Sequence, residues 1–441
     1  MYICKKAMKT IAIREENKYP NEKRTPLIPQ HVKHFVQQGY TVLVEPSVKR
    51  IFKNEDYEQV GAKVTSDLTT ADLILGIKEI PLENILPHKT YMFFSHVIKG
   101  QPYNMPMLRK LMESKVNLID YEKITDDLGK RLIFFGKFAG YAGFVNTLWT
   151  VGKQLSLKGI VTPFAKINQT HTYPSLKDVK KALSLVGQEI VEVGFPQEIR
   201  PFVIGITGYG NVSQGVQELL HLLPCQEILP ETLLDPSFGD KTDGKIVYFV
   251  VFKEEDLVRK RNGSSEEFDL YHYYQHPEDY ESRFFDYLPK LSVLIHGSYW
   301  DSRYPRVVTK DELAQLQEMG ISKLIAIGDI SCDPNGGIEC TPFGTSIDDP
   351  VLTYFPISRE HKMGFYPDGI PVMAVDILPS ELPYDASIAF SNMLKPFIPM
   401  VTACDFSLPF ENLNLPSSLK KALILHKGEL TPSYNYLTQY L

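Results

Sequence analysis

The sequence predicts an α/β protein with two doubly wound parallel-sheet domains and a cleft between them. Its 441 residues exceed the size at which a single hydrophobic core stops growing, so two domains are expected. The N-terminal third alternates short apolar runs with stretches of helical periodicity, and residues 201–223 place an apolar strand, a glycine-rich turn and an amphipathic helix in direct succession.

The N-terminal third supplies most of the first sheet. Helices are predicted for 30–38 and 104–114, and Gly39 occupies the position of a helix C-cap. The predicted strands are Thr10–Arg14, Thr41–Glu45, Leu73–Ile77, Tyr91–Ser95, Asn117–Tyr121 and Leu132–Phe135. Strands that alternate with helices favour a parallel sheet whose carboxyl ends line a ligand crevice.

A long helix over Phe138–Leu157 marks the crossover to the second domain. Gly140, Gly143 and Gly152 lie within it and favour close packing on a neighbouring segment. The elements predicted after it are helix Ser175–Val186, apolar runs Ile246–Val251, Val293–Ile295 and Leu324–Ile327, the tyrosine-rich insert Phe268–Pro289, the segment Gly369–Val375 and a final helix Ala386–Leu394.

Composition excludes several classes of function. A net charge of -6 gives no signal for nucleic-acid binding. The five cysteines, of which Cys4 is the first, form no CxxC pair, so we predict no metal site and a reducing, cytoplasmic location. No uninterrupted apolar stretch reaches 18 residues, so no membrane association is expected. A homo-oligomer is left open.

The glycine-rich turn predicts a dinucleotide and therefore a Rossmann-like domain. Gly208 permits a tight turn, Gly210 lets the backbone approach a pyrophosphate, and the helix that starts with Asn211 and Val212 offers free N–H groups. Ser213 stands where the strict pattern has a third glycine, and Gly215 follows two residues later.

An acidic residue is expected about 20 residues further on, where it would hold a ribose 2′-hydroxyl. Glu227, Glu231 and Asp235 are all near that place, and we take Glu231 as the candidate. No arginine between Ser213 and Val258 marks a 2′-phosphate, so the choice between NADH and NADPH stays open.

Polar residues follow several predicted strands of the first domain. Lys78 and Glu79 follow one strand, His96 and Lys99 the next, and Glu122 the one after. Glu22 and Arg24 belong to an earlier segment, EKRTPLIP. Because strand carboxyl ends meet at one edge of a parallel sheet, these residues are expected to converge on a substrate site.

The order of these motifs resembles the alanine dehydrogenase and transhydrogenase family. That family has an early element like EKRTPLIP, a G-x-K after the third strand, an F-x-H after the fourth and then a glycine-rich turn. Within it the chain is most similar to lysine-ketoglutarate reductases and lysine-forming saccharopine dehydrogenases. The phrases that carry this similarity are FFSHVIKGQ, LIDYEKITDDLGKRLIFFGKFAGYAG, TGYGNVSQG, HPEDYESRF, HGSYWDSRYPRVVT, IGDISCDPNGGIE and AVDILPSELPYDAS.

The resemblance implies a reductase that condenses lysine with 2-oxoglutarate and reduces the imine with NAD(P)H to saccharopine. It implies Lys78 and His96 as the acid–base pair, with Glu79 and Glu122 as tuning groups and amine acceptors. Arg24 and Arg131 would bind substrate carboxylates, with Glu22 beside them and Lys99 adding charge. Asp329, Asp333 and Asp376 would lie near the cofactor.

The resemblance also implies a discontinuous substrate domain. Residues 1–140 plus 370–441 would form that domain and 141–369 the dinucleotide-binding domain. Since the sequence stops at Leu441, a monofunctional reductase is expected.

Three alternatives stay open. They are an alanine dehydrogenase, an NAD-dependent saccharopine dehydrogenase working in the lysine-forming direction, and, outside enzymes, a nucleotide-sensing protein without activity.

Overall fold

The computed structural model describes residues 10–261 and 267–441, and Cys4 lies outside them. The chain forms two compact units. The first, here called the terminal unit, consists of the residues up to Phe135 together with Pro383–Leu441. The second, here called the inserted unit, is the continuous stretch Gly136–Leu382.

The N-terminal segment of the terminal unit has the predicted alternation of strands and helices. Its first helix begins with Pro29, whose missing N–H costs nothing in a first turn, and ends before Gly39, which adopts φ +86°. The strands are β1 (Thr10–Ile13), β2 (Thr41–Val44), β3 (Lys63–Val64), β4 (Leu73–Leu75), β5 (Thr90–Phe93) and β6 (Asn117–Asp120). The helices are α1 (Pro29–Gln37), α2 (Asn54–Glu58) and α3 (Met105–Glu113).

The inserted unit opens with a long helix and then alternates strands with helices. Its helices are α4 (Gly136–Leu157), α5 (Leu176–Val193), α6 (Asn211–Leu220), α7 (Pro230–Leu234), α8 (Glu254–Leu257), α9 (Leu270–Gln275) and α10 (Lys310–Glu318). Its strands are β7 (Phe202–Thr207), β8 (Cys225–Glu227), β9 (Val247–Phe252), β10 (Val258–Lys260), β11 (Tyr280–Ser282), β12 (Val293–His296), β13 (Ala326–Asp329), β14 (Val351–Phe355), β15 (Glu360–Met363) and β16 (Ile370–Met373).

The C-terminal segment completes the sheet of the terminal unit. It contains α11 (Pro383–Leu394), α12 (Phe397–Thr402), α13 (Ser417–Ala422), β17 (Leu423–His426) and β18 (Glu429–Leu430). The strand order is β18-β17-β6-β5-β4-β1-β2-β3, with β1 to β6 parallel and the two C-terminal strands antiparallel. Among the described residues no helix is both long and apolar enough to cross a membrane.

The second large sheet lies in the inserted unit. Its order is β15-β14-β16-β13-β12-β7-β9-β8, and neighbouring strands are parallel except that β14 is antiparallel to both β16 and β15. From β7 the chain moves first to one side, through β8 and β9, and then to the other, through β12 and β13. The strand order therefore reverses beside β7, and such a point is where doubly wound sheets bind ligands. The prediction of two doubly wound, mainly parallel sheets is confirmed.

One sequence prediction about a strand is wrong. Leu132–Phe135 does not form a strand, because β17 already occupies the place beside β6. The run instead packs against the core, where Ile133 is buried and the partly buried Phe135 stacks on Phe390 with ring centroids 4.6 Å apart. The compact units meet at Phe135–Gly136 and at Leu382–Pro383, since all of α4 lies in the inserted unit and β16 is hydrogen-bonded to β13.

Glycines allow α4 and α6 to pack at very short range. A Cβ on Gly140 would overlap the carbonyl oxygen of Val212, and a Cβ on Gly215 would overlap that of Lys137. Gly215 thus allows α6 to pack closely on α4, a helix–helix contact that differs from the helix–strand packing of the usual third glycine. The contact between α4 and α6 is the close packing that the glycines of the long helix predict.

Gly140→Ala is therefore expected to destabilise the protein by roughly 1–3 kcal/mol, although alanine normally favours a helix. The added methyl group can be accommodated only by moving α6. Urea unfolding of the variant measures the loss. Gly239→Ala is the matched control, since its Cβ would meet no atom within 4 Å. An equal stability of the two variants would contradict the helix contact.

Candidate functional site

The carboxyl ends of four neighbouring strands carry the predicted substrate residues. Strands β6, β5, β4 and β1 are adjacent in the sheet, and each is followed by acidic or basic side chains. We call the group Glu16, Lys18, Lys78, Glu79 and His96 the strand-end cluster. Beside it, a cavity of about 290 Å³ is lined by Lys18 and Glu79 together with apolar side chains that include Ile80, Leu82 and Met107.

Glu79 connects the cluster. Its Oε1 accepts hydrogen bonds from Lys18 Nζ at 2.6 Å and lies 2.8 Å from His96 Nδ1. Because a carboxylate only accepts, the hydrogen of the neutral imidazole lies on Nδ1, and Nε2 is then the nitrogen that can take or give a proton. Glu79 is nearly buried, whereas His96 is about one third exposed.

The backbone and a neighbouring ring also position His96. The residue adopts φ +53°, in the left-handed region, and its carbonyl oxygen accepts a hydrogen bond from Asn104 Nδ2 at 3.0 Å. The ring of Phe94 stacks on the imidazole with an interplanar angle of 13°. The hydrogen bond from Asn104 and the ring of Phe94 together restrict the position of the imidazole.

Glu79 stays ionised over the whole working range of pH. Burial alone would raise its pKa, but the hydrogen bonds and charges of His96 and Lys18 lower that pKa to about 2. Glu79 therefore orients and charges its neighbours and does not itself exchange protons near neutral pH.

A pH-dependent stability follows from this lowered pKa. The ionised Glu79 stabilises the folded state fully above about pH 4.5, and the contribution, about 3 kcal/mol, is lost as the pH falls towards 2. The difference in unfolding free energy between the wild type and Glu79→Gln should therefore be largest at neutral pH and shrink below pH 4.5. Urea unfolding at several pH values measures it. Glu83→Gln, at an exposed position, is the control, and a difference that does not change with pH would contradict the assignment.

Lys78 is held at its backbone by a buried carboxylate. Glu16 accepts hydrogen bonds from the backbone N–H groups of Ile77 at 2.6 Å and Lys78 at 2.9 Å. The ammonium group of Lys78 lies 5.6 Å from the centre of the Tyr19 ring. Burial raises the pKa of Glu16, and Arg14 opposes that rise. The sequence prediction did not include Arg14, Glu16 or Lys18, although their place at or just after the end of the predicted strand Thr10–Arg14 is the signal that could have found them.

Arg24 is engaged inside the terminal unit. Its guanidinium donates to both oxygens of Glu22, at 2.8 and 2.6 Å, and lies over the ring of Phe135 at 4.2 Å. Both charged side chains are buried. Burial raises the pKa of Glu22, but Arg24 lowers it by more. The ion pair between Arg24 and Glu22 therefore contributes to the structure of the terminal unit, independently of any substrate that Arg24 binds.

Three further predicted substrate residues lie around the next strand. Glu122 forms an ion pair with Arg131, which is half exposed, and Lys99 is exposed. Asp120, which the sequence analysis did not single out, is fully buried and accepts hydrogen bonds from Ser95 and from the backbone of Glu122 at 2.8 Å. It fixes the loops after β5 and β6 relative to each other.

In the inserted unit the glycine-rich turn has the conformation that its sequence predicts. Gly208 adopts φ +83°, and a Cβ there would lie 3.1 Å from Ser298. A Cβ on Gly210 would meet no atom within 4 Å, so the backbone is open on that side. Among the described residues no side chain caps the start of α6, and its first N–H groups can serve an anion. Asn211 and Val212 begin that helix, and Ser213 is buried.

A cavity of about 320 Å³ adjoins this turn. Its wall includes the ends of three strands, through Gly208 after β7, Glu254 after β9 and Ser298 after β12. The rest of the wall is largely aromatic and includes Tyr273, Tyr274, Tyr299, Trp300 and Tyr304. The glycines and the cavity together fit a dinucleotide.

The observed strand order bears on which acidic residue is expected to face the ribose of a dinucleotide. The strand beside β7 is β9, whereas β8 lies at the outer edge of the sheet. Glu231 is an exposed residue of α7, which follows β8. Glu254 follows β9 and lines the cavity, so the structure adds it as a second candidate beside the predicted Glu231. The count of about 20 residues ends in α7 because β8 and α7 precede the strand that pairs with β7.

The three predicted aspartates lie at the carboxyl ends of β13 and β16: Asp329 is the last residue of β13, and the other two lie in the loops that follow these strands. Asp329 is buried, and both its oxygens accept hydrogen bonds, from Ser331, Thr341 and the backbone of Cys332. It therefore holds its own loop. Asp376 is exposed and lies 4.0 Å from the sulfur of Cys332. Asp333 is partly exposed, and its carbonyl oxygen accepts from Gly336.

Comparison with known proteins identifies the relatives of the chain. Residues 12–142 match the family described as "Alanine dehydrogenase/PNT, N-terminal domain". The "Alpha-aminoadipic semialdehyde synthase" of Arabidopsis thaliana is 39% identical over 432 residues, which are 94% of this chain and 40% of that protein. The "Saccharopine dehydrogenase [NAD(+), L-lysine-forming]" of Emericella nidulans is 25% identical over 88% of this chain and 90% of its own length.

The fold has a known counterpart among solved structures. An L-alanine dehydrogenase superposes with a TM-score of 0.61 and 17% identity, covering 98% of this chain and 99% of that one. The chain spans less than half the length of the plant relative. The predicted family relationship is confirmed: the chain carries an alanine dehydrogenase/PNT-type N-terminal domain and is a homologue of proteins named alpha-aminoadipic semialdehyde synthase and saccharopine dehydrogenase.

Proposed function

We propose that this homologue of the alpha-aminoadipic semialdehyde synthases is an NAD(P)H-dependent reductase that joins lysine to 2-oxoglutarate and forms saccharopine. The observation that supports it most is the strand-end cluster, in which Glu79 follows Lys78 in the chain, orients the imidazole of His96 and lines a small cavity. The terminal unit would be the substrate domain and the inserted unit the dinucleotide-binding domain.

The reaction needs two groups that exchange protons. The side-chain amine of lysine must lose a proton before it attacks the ketone, and the carbinolamine must gain one to lose water. His96 Nε2 is suited to these transfers because Nδ1 is held by Glu79. Lys78 is proposed as the second group, because it follows the strand end next to that of His96 and its backbone is fixed by Glu16.

The substrates carry several carboxylates and an amine, and the terminal unit has both positively and negatively charged side chains that could bind them. Arg24, Arg131 and Lys99 would bind the carboxylates. Glu22 and Glu122 would hold the two arginines, and Glu122 would also receive the substrate amine. Arg24 would act through the part of its guanidinium not taken up by Glu22.

The inserted unit would hold the dinucleotide. Gly208, Gly210 and the N–H groups of Asn211, Val212 and Ser213 would bind the pyrophosphate, with Asp333 and Asp376 in the loops beside it. Asp329 would keep one of those loops in place. The bound dinucleotide supplies the hydride that reduces the imine.

Oxidation of NADH and of NADPH by the full chain tests the function. We expect turnover with lysine plus 2-oxoglutarate and none with pyruvate plus ammonia. Turnover with pyruvate and ammonia alone would make the chain an alanine dehydrogenase. The absence of turnover with either pair, and with saccharopine plus oxidised dinucleotide, would overturn the proposal in favour of a sensing protein.

A second candidate has the same substrates in the opposite direction. It is favoured by the fungal relative, named as an NAD-dependent, lysine-forming saccharopine dehydrogenase, of which the chain covers 90%. The ratio of forward to reverse kcat/KM at neutral pH distinguishes the two.

A further inference from the structure

The position of Glu254 is fixed by the pairing of two strands. Strand β9 pairs with β7 up to Phe252, which lies opposite Thr207. The backbone N–H of Gly208 donates to the carbonyl oxygen of Phe252 at 3.0 Å. Glu254 follows two residues later, so its carboxylate lies beside the glycine-rich turn and faces the cavity.

Tyrosines hold the Glu254 carboxylate at the cavity wall. The hydroxyl of Tyr274, from the tyrosine-rich insert, donates to Glu254 Oε1 at 2.9 Å. Burial, and then the Glu254 carboxylate, raise the pKa of Tyr209, the residue between the two glycines of the turn. Glu254 therefore meets both the insert and the turn, and its orientation is set before any ligand binds.

The positively charged side chains described near this wall already interact with other groups of the protein. Among the described residues that line the cavity, Arg306 is the one cation, and its guanidinium donates to the carbonyl oxygen of Asn335 and lies over the ring of Trp300 at 5.4 Å. Lys253 is exposed and forms an ion pair with Glu255 at 3.7 Å. A phosphate group at this wall would therefore face a carboxylate instead of an open arginine.

We propose that Glu254 accepts a hydrogen bond from the 2′-hydroxyl of the adenosine ribose and makes the protein select NADH over NADPH. The proposal rests on the function proposed above. A carboxylate at the end of the strand beside the glycine turn is the group that binds this hydroxyl in dinucleotide folds. The 2′-phosphate of NADPH would bring a second anion against it, and like charges at short distance repel.

Direct titration of the full chain with NADH and NADPH, followed by nucleotide fluorescence, tests the proposal without turnover. We expect NADH to bind at least about 10-fold more tightly, since a hydrogen bond to a charged group is gained and a charge repulsion is avoided. Glu254→Gln removes the charge but keeps the shape, and should reduce the preference about 10-fold. Glu255→Gln, at the exposed neighbouring position, should leave the preference unchanged.

The outcomes separate this proposal from the function on which it depends. Failure of both nucleotides to bind the wild type would overturn the dinucleotide site itself. Equal binding of the two, or tighter binding of NADPH, would overturn the role of Glu254 and leave the reductase standing. Equal shifts in Glu254→Gln and Glu255→Gln would show a general effect of charge and would also overturn that role.

Discussion

Lys78→Met and His96→Gln are each expected to lower kcat by roughly 10²- to 10⁴-fold, the usual contribution of a positioned acid or base. The affinity for the dinucleotide should change little, because both residues belong to the terminal unit and the glycine turn to the inserted unit. Steady-state kinetics with lysine and 2-oxoglutarate measure the first effect, and nucleotide fluorescence measures the second.

Matched controls exist in the same unit. His88→Gln changes a histidine that is exposed and adopts φ +59°, close to the φ of His96. Lys115→Met changes an exposed lysine. Both controls should keep wild-type kcat. An unchanged kcat in Lys78→Met or in His96→Gln would remove that residue from the acid–base pair, and equal losses in His96→Gln and His88→Gln would indicate backbone strain instead.

Arg24→Met is expected to destabilise the protein by about 3–5 kcal/mol, because it leaves the buried carboxylate of Glu22 without its cation. The double change Glu22→Met with Arg24→Met removes both charges and should recover much of that loss. Urea unfolding measures both variants.

The same variants test substrate binding by Arg24. If Arg24 also binds a substrate carboxylate, the KM for 2-oxoglutarate rises in the single and in the double variant, even though the double variant is stable. A wild-type KM in the stable double variant would remove Arg24 from substrate binding. A double variant no more stable than the single one would contradict the buried ion pair.

Most of the fold could be predicted because the apolar runs in the sequence coincide with the central strands of the two sheets. Strands such as β5, β7 and β12 are short, apolar and buried on both faces, so the sequence runs show them directly. Residues 132–135 form an equally apolar run but no strand. Their structure depends on the pairing of β6 with β17, which lies some 300 residues later in the chain. A local sequence pattern contains no information about that pairing.

The candidate site could be predicted for those residues that directly follow a strand recognisable in the sequence. Lys78, Glu79 and His96 were found because each follows a recognisable strand, and the structure brings Glu79 and His96 into direct contact. Glu254 was not found, because its place depends on which strand lies beside β7. Lys18 was not found either, because it reaches Glu79 from a loop between β1 and α1.

The discontinuity of the terminal unit has a consequence for its biosynthesis. Strand β6 is parallel to β5 on one side and receives its other partner, β17, only from the C-terminal segment. The buried N–H groups of Thr25 and Ile28 likewise find their acceptors in the hydroxyls of Ser387 and Ser391 on α11. During translation the whole inserted unit emerges before these partners exist. The nascent N-terminal sheet must therefore wait with one open strand edge, and a ribosome that stalls before residue 383 leaves a chain prone to aggregation.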